Sequence, residues 1–218
     1  MIEIKNVSQF YDKKMVLDDI HLTIERHEKC ALVGRNGAGK STLIYTMLGL
    51  LPLKKGEILV NGTPIQKKAW KKHVSYLPEK FQLYPHLTGL ENIQFFAAVH
   101  NEKVDSEKLK EALTSVRLWD DRNEKVMNYS KGMLQRLGLG IMLVYDSDIL
   151  ILDEPTSGLD PIGRIEFLNI LNGLKDKTIL LSSHHMEEVK QICTHVVYLH
   201  DKQITKYSVN DFLEEVAL

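Results

Sequence analysis

Lys40 sits in the stretch GRNGAGKST, residues 34–42, with three glycines before it and two hydroxyls after it. A lysine ammonium is a compact point charge. Glycines let a backbone turn successive N–H groups toward an anion at dihedrals that other residues avoid. The spacing fits G-x-x-x-x-G-K-[ST], a loop that cradles phosphates. Gly34, Gly37 and Gly39 are expected to shape it, and the backbone from Asn36 through Ala38 to Gly39 to line the phosphates. Lys40 then reaches the β- and γ-phosphates, the Ser41 hydroxyl a magnesium ion, and Thr42 further phosphate oxygens. A helix starting here would add the partial positive charge of its N-terminus.

A second set of chemical groups stands in DILILDEP, residues 148–155. Four apolar residues lead into Asp153, which should emerge at the carboxyl edge of a sheet, where α/β proteins bind ligands. Asp153 is the expected magnesium partner. Glu154 follows directly, and because consecutive strand residues point to opposite sides, it is expected to face the γ-phosphate and accept a proton from attacking water.

Both sets need strands and helices to place them. CALVG and DILILDEP are continuous apolar runs, the mark of strands buried on both faces. STLIYTMLGLL has helical spacing up to Pro52. IEIKNVSQ, HLTIERH, GEILVNG, VSYLP and TILLSSH read as strands, and HVVYLHDKQI as a closing hairpin. TGLENIQFFAAVH, SEKLKEALTSVRL and GMLQRLGLGIMLVY carry a 3.6-residue period, as do GRIEFLNILNGL and HMEEVKQICT. The pattern predicts an α/β fold with a parallel core sheet, an N-terminal antiparallel β part and an inserted helical subdomain at about 80–146. Residues 1–218 are read as one domain.

Composition narrows the classes. Apolar residues make up 44% of the 218 residues, and the net charge is −1. A globular core is therefore available, and no global basic excess points to nucleic acid. The two cysteines, Cys30 and Cys193, lie outside metal-ligand spacing and read as reduced core thiols. Apolar runs are too short to span a bilayer. The acidic tail SVNDFLEEVAL is too short for a regulatory domain.

Further stretches carry a family resemblance. NYSKGMLQRLGLG (128–140) resembles the signature motif of ABC ATPases, SGLD (157–160) their D-loop, and LLSSHHMEE (180–188) their switch-histidine segment. YLPEKFQLYPHLTGLENI (76–93) is similar to their Q-loop, and FYDKKMVLDDI (10–20) to their adenine-stacking loop. In order and spacing the chain is similar to the ATP-binding subunit of an ABC transporter over nearly its whole length. YLPE and YSKGM look most like the branch that exports sodium, drugs and peptides or serves copper maturation.

That resemblance implies a P-loop ATPase that binds ATP and Mg²⁺ and powers a separate transmembrane permease. It would sit on the cytoplasmic, inner face of the cell membrane through that permease. Two copies, or this chain and a related ATPase subunit, would sandwich two ATP molecules. Tyr11 would stack on adenine, flanked by Val16. Ser130 and the Gly132 amide would reach the γ-phosphate bound by the partner copy. Glu79 would lie near the metal, Asp160 would brace the dimer, and His184 would bond the γ-phosphate. Phe81, Leu83, Tyr84 and Pro85 would offer an apolar dock for a permease helix.

The chain departs from the family at four places. Tyr129, Lys131 and Met133 stand where Leu, Gly and Gln are usual, and Glu79 replaces Gln. A carboxylate near the γ-phosphate predicts an active but slow ATPase. A translation ATPase would carry two cassettes and a DNA-structure ATPase a long heptad run, and this sequence has neither.

Overall fold

The computed structural model describes residues 1–11, 14–99 and 105–216. Asp12 and Lys13 of the adenine-loop stretch, residues 100–104 of the helical block, and Ala217 and Leu218 of the tail lie outside the described residues. The chain runs β1 (Ile2–Tyr11), β2 (Lys14–Ile24), β3 (Lys29–Val33), α1 (Lys40–Met47), β4 (Lys55–Val60), β5 (Thr63–Pro64) and β6 (Val74–Leu77). Three helices follow, α2 (Gly89–Val99), α3 (Ser106–Ser115) and α4 (Lys131–Val144). Strand and helix then alternate through β7 (Ile149–Asp153), α5 (Pro161–Gly173), β8 (Thr178–Ser182), α6 (Met186–Ile192) and β9 (His195–His200). The hairpin strand β10 (Gln203–Ser208) and α7 (Val209–Glu215) complete the described chain.

The strands form an antiparallel sheet of order β2-β1-β4-β5 and a six-stranded sheet of order β10-β9-β3-β8-β7-β6. From β9 to β6 the larger sheet is parallel, with β10 added antiparallel at its edge. All five residues of β7 and of β8 are buried, as strands sandwiched between layers must be. Their side chains alternate in destination. Ile149 and Ile151 enter a core shared with α1 and the antiparallel sheet. Leu150 and Leu152 enter a second core shared with the helices on the opposite face. The layout is the predicted α/β one, with α2, α3 and α4 inserted between β6 and β7.

Two details differ from the sequence reading, and one contact adds to it. α1 ends at Met47, well before Pro52. Gly49 takes a left-handed φ of 64°, and the amides of Leu50 and Leu51 both donate to the Tyr45 carbonyl, at 2.8 and 3.1 Å. Glycine, with no Cβ to clash, closes the helix before proline can. The acidic tail forms α7, capped by Ser208 and anchored by buried Phe212 against Tyr198 and Tyr207. Its single buried aromatic was too sparse to read as a helical period.

Phe81 makes the added contact. Its ring lies against α4 where Gly138 has no side chain. A Cβ there would meet Phe81 Cζ at 2.7 Å and Leu77 Cδ1 at 2.8 Å. Glycine inside a helix costs about 1 kcal/mol relative to alanine, whereas burying an aromatic ring returns roughly 1.5–3 kcal/mol. Phe81 is half-buried, so the two terms are comparable in size, and its ring ties the connection after β6 to the helical block.

Candidate active site

β3 ends at Val33 and α1 begins at Lys40, so the glycine loop joins a buried strand to a helix N-terminus. The glycines act for different reasons. Gly39 has a φ of 112°, and a Cβ on it would meet Val16 Cγ1 at 2.7 Å. Gly34 has no left-handed φ; a Cβ there would strike the Leu199 carbonyl oxygen of β9 at 2.6 Å. Its role is close approach to the neighbouring strand, not the unusual dihedral expected. Lys40 folds back over the loop, its Nζ donating to the Gly34 carbonyl at 2.8 Å.

The acidic groups lie at the carboxyl edge of the large sheet. Asp153 ends β7 and is 8% exposed. Its Oδ1 accepts from Ser182 Oγ at 2.6 Å, and the same hydroxyl accepts the Glu154 backbone N–H at 2.8 Å. Ser182, at the end of β8, thus orients both acids, and sequence reading missed it. Its signal was faint: a serine at the end of a strand of buried apolar residues. Burial first, and the Asp153 carboxylate next, push the pKa of the neighbouring Tyr76 hydroxyl up, keeping it protonated beside that carboxylate.

Glu154 lies just past β7 with a left-handed φ of 46°. Strand alternation was the expected reason for its direction. The observed reason is a turn, closed by the Ser157 N–H on the Glu154 carbonyl at 3.0 Å. A non-glycine residue in that region is strained, and such strain gathers at functional sites. The turn brings Glu154 Oε2 to 2.9 Å from His184 Nδ1. His185 stacks beside His184, with ring centroids 4.0 Å apart.

These elements surround a cleft of about 1030 Å³. Its walls hold Tyr11, Val16, the loop from Asn36 to Thr42, Glu79, Asp153 and Glu154. Eleven of the sequence-predicted positions named for nucleotide or metal, Glu79 among them, thus share one cavity with Glu154. The cleft has a further wall that sequence reading missed, made of Leu199, His200, Asp201 and Lys202 at the β9–β10 turn, with Lys14 and Arg35 nearby. Asp201 and Lys202 both have positive φ, 46° and 68°, as a two-residue hairpin turn of this twist requires. The hairpin itself was legible, but not its position over the cleft.

Ser130, Gly132, Asp160 and His184 do not line this cavity, and His184 reaches it through Glu154. Ser130 caps α4 by accepting the Met133 N–H at 3.2 Å. Asp160 caps α5 by accepting the Gly163 N–H at 2.8 Å. Gly132 faces Gly163, where an added Cβ would lie 3.5 Å from its Cα.

A family pattern described as ABC transporter matches residues 17–157. The chain belongs to the ABC transporter family. It is 39% identical over 204 residues to the uncharacterized ABC transporter ATP-binding protein YhcH of Bacillus subtilis (strain 168), covering 91% of this chain and 67% of that one. It is 32% identical over 221 residues to the lantibiotic transport ATP-binding protein SrtF of Streptococcus pyogenes, covering 99% of this chain and 95% of that one. Among solved structures, an ATP-binding subunit of an ABC transporter superimposes with a TM-score of 0.85 at 29% identity, over 100% of this chain and 94% of that one. The chain thus spans about two thirds of the first relative and nearly all of the second. This is an ABC ATP-binding domain, of a family of ATPases coupled to transport. No helix among the described residues is long and apolar enough to cross a membrane.

Within this ABC domain, the departures in the signature segment have structural reasons. Tyr129 is 7% exposed and its hydroxyl donates to the Asp121 carbonyl at 2.8 Å. It therefore fills the core place of a leucine and adds a hydrogen bond, and burial pushes its pKa up to about 12. Met133 packs half-buried against the helical core. Lys131 is exposed, and its ammonium lies over Gly158 of the SGLD segment. The two cysteines are free and buried, and burial pushes Cys193 up to about 12, so both are inert core thiols.

Proposed function

We propose that this ABC domain hydrolyses Mg-ATP to drive transport by a separate permease, working as a dimer with a second copy or a related ATPase subunit. The observation that carries the reading is Glu154, which lines the phosphate-loop cleft and is held in a left-handed turn with its Oε2 2.9 Å from His184 Nδ1. In this reading residues 1–218 are one ATPase domain with a helical subdomain at about 80–146.

Tyr11 stacks on adenine with Val16 beside it, as an aromatic face does on any base. The amides from Asn36 to Gly39, with Lys40 and Thr42, hold the phosphates against the start of α1. Glu154 accepts a proton from the water that attacks the γ-phosphate, and His184 orients that carboxylate and bonds the phosphate. Ser41, Asp153 and Glu79 present oxygen donors alone, the class that suits magnesium; they would hold the ion, and it would neutralise phosphate charge. Ser130 and the Gly132 amide, at the free N-terminus of α4, complete the site of the facing copy. Asp160 caps α5 at the same seam. Glu79 adds negative charge where the family carries an amide, so basal turnover is slow. The permease reads the cargo, the direction is export, and the domain sits on the cytoplasmic face through the permease.

The test is steady-state hydrolysis of wild type beside Glu154→Gln, with size-exclusion chromatography in Mg-ATP. General-base loss should lower the rate roughly 10²–10⁴-fold while ATP binding persists and a dimer accumulates. A Glu154→Gln chain that hydrolyses at the wild-type rate overturns the reading.

A further inference from the structure

Away from the cleft, charge is concentrated in one part of the chain. Residues 54–72 hold Lys54, Lys55, Lys67, Lys68, Lys71 and Lys72 with Glu57 as their single acid, although the whole chain is net −1. All six lysines are exposed. Among the described residues none of them lies in an ion pair. Nearby Asp148 accepts from His73 and Asn61, and Glu57 stands opposite Lys5 in the β1–β4 register, where the Lys5 ammonium pairs with Glu3 at 2.8 Å.

The fold fixes the patch. Residues Lys68–His73 form a 3-10 helix, in which positions i and i+3 share a face. Trp70 points inward, 3% exposed, with Nε1 donating to the Ile65 carbonyl at 2.8 Å. Its ring borders Gly49, at the end of α1. This contact lays the helix against the start of the connection between α1 and β4, which ends at Lys54 and leads into Lys55, the first residue of β4. Lys68 and Lys71 therefore share one face of the 3-10 helix, and Lys67, Lys72, Lys54 and Lys55 add exposed ammoniums along this lysine-rich edge, with Glu57 as its one acid.

We propose that this lysine edge binds the anionic headgroups of the membrane surface directly, beside the permease; the proposal rests on the reading that the domain works at a membrane. Lysine clusters are drawn to anionic leaflets. The composition fits headgroups better than nucleic acid. The one aromatic of the segment, Trp70, is buried, so no ring is offered for base stacking. Arginine, the residue of bidentate phosphate recognition, is absent from residues 54–72.

The test is co-sedimentation of the purified chain with phosphatidylcholine vesicles and with mixed phosphatidylcholine–phosphatidylserine vesicles. Binding should require phosphatidylserine and fade at about 1 M salt, where the Debye length is about 3 Å. Each lysine near such a surface raises partitioning about fivefold. The variant Lys67→Gln/Lys68→Gln/Lys71→Gln/Lys72→Gln should therefore bind at least about tenfold more weakly, with ATP hydrolysis within about twofold of wild type. Lys54→Gln/Lys55→Gln, on a separate segment, should weaken binding too, whereas Lys175→Gln/Lys190→Gln should not. The proposal falls if wild type ignores phosphatidylserine vesicles, if the control pair weakens binding as much, or if labelled poly(U) binds the same lysines more tightly than vesicles do. The Glu154→Gln assay judges the ATPase reading independently, so either can fail alone.

Discussion

Removing one hydroxyl should disturb both acids of the cleft at once. In Ser182→Ala the Asp153 carboxylate loses a 2.6 Å hydrogen bond and the Glu154 N–H loses a 2.8 Å acceptor. Ser182 is 0% exposed, so its hydroxyl is fully enclosed in the folded chain. A hydrogen bond to a charged group contributes about 1.5–3 kcal/mol and a neutral one about 0.5–1.5 kcal/mol. Partial relaxation leaves an expected loss of about 2–4 kcal/mol, or roughly 4–16 °C in thermal midpoint for a chain of this size. Loss of an orienting partner of this kind lowers activity about 10–100-fold, read as kcat/KM for Mg-ATP. Combining Ser182→Ala with Asp153→Asn should give much less than the sum of the separate losses, because both break one bond. Denaturant unfolding of the four chains measures this. A Ser182→Ala loss below about 0.5 kcal/mol, or strict additivity, would refute the assignment of Ser182 as the brace.

Other changes have expected outcomes. Gly39→Ala meets both the φ of 112° and Val16; a left-handed alanine costs about 1–2 kcal/mol, and calorimetric ATP affinity should drop more than about tenfold. Tyr129→Phe removes the bond to the Asp121 carbonyl at about 1 kcal/mol, lowering the thermal midpoint by about 2–4 °C with hydrolysis unchanged. Hydrogen bonding from the Lys177 ammonium holds the Asp146 carboxyl below its ordinary 3.8. The folded chain therefore binds fewer protons there, and the stabilisation exists above the unfolded pKa and is lost as pH falls through the folded one. Asp146 is largely exposed, so Asp146→Asn should cost at most about 1 kcal/mol at pH 7 and nothing in acid below the folded pKa, as urea midpoints across pH will tell.

What could be read in advance follows from how local the cause is. The phosphate loop and β7 carry their reasons within a few residues, a glycine pattern and an apolar run, and both were legible. The turn that directs Glu154 was not legible, since it depends on Ser157 and on a hydroxyl 28 residues away. The β9–β10 wall, Ser182 and the Phe81–Gly138 contact depend on segments that meet through the fold alone. Tyr129 looked like a departure from the signature motif, while its hydroxyl answers to Asp121 in its own core. The charge count hid the lysine edge for a similar reason: an average over the chain erases a local excess.

Glu79 borders the large cleft and also a smaller one of about 430 Å³, whose other walls include Lys80, Phe81, Leu83, Met127 and Lys131. Two chambers with a common partition are not independent. A ligand in the first that turns this carboxylate reshapes the second, and whatever settles in the second biases the carboxylate in return. Thermodynamic reciprocity makes the two influences equal in free energy. One side chain is thus enough to let occupancy on one side be registered on the other, with no moving part larger than a few torsions.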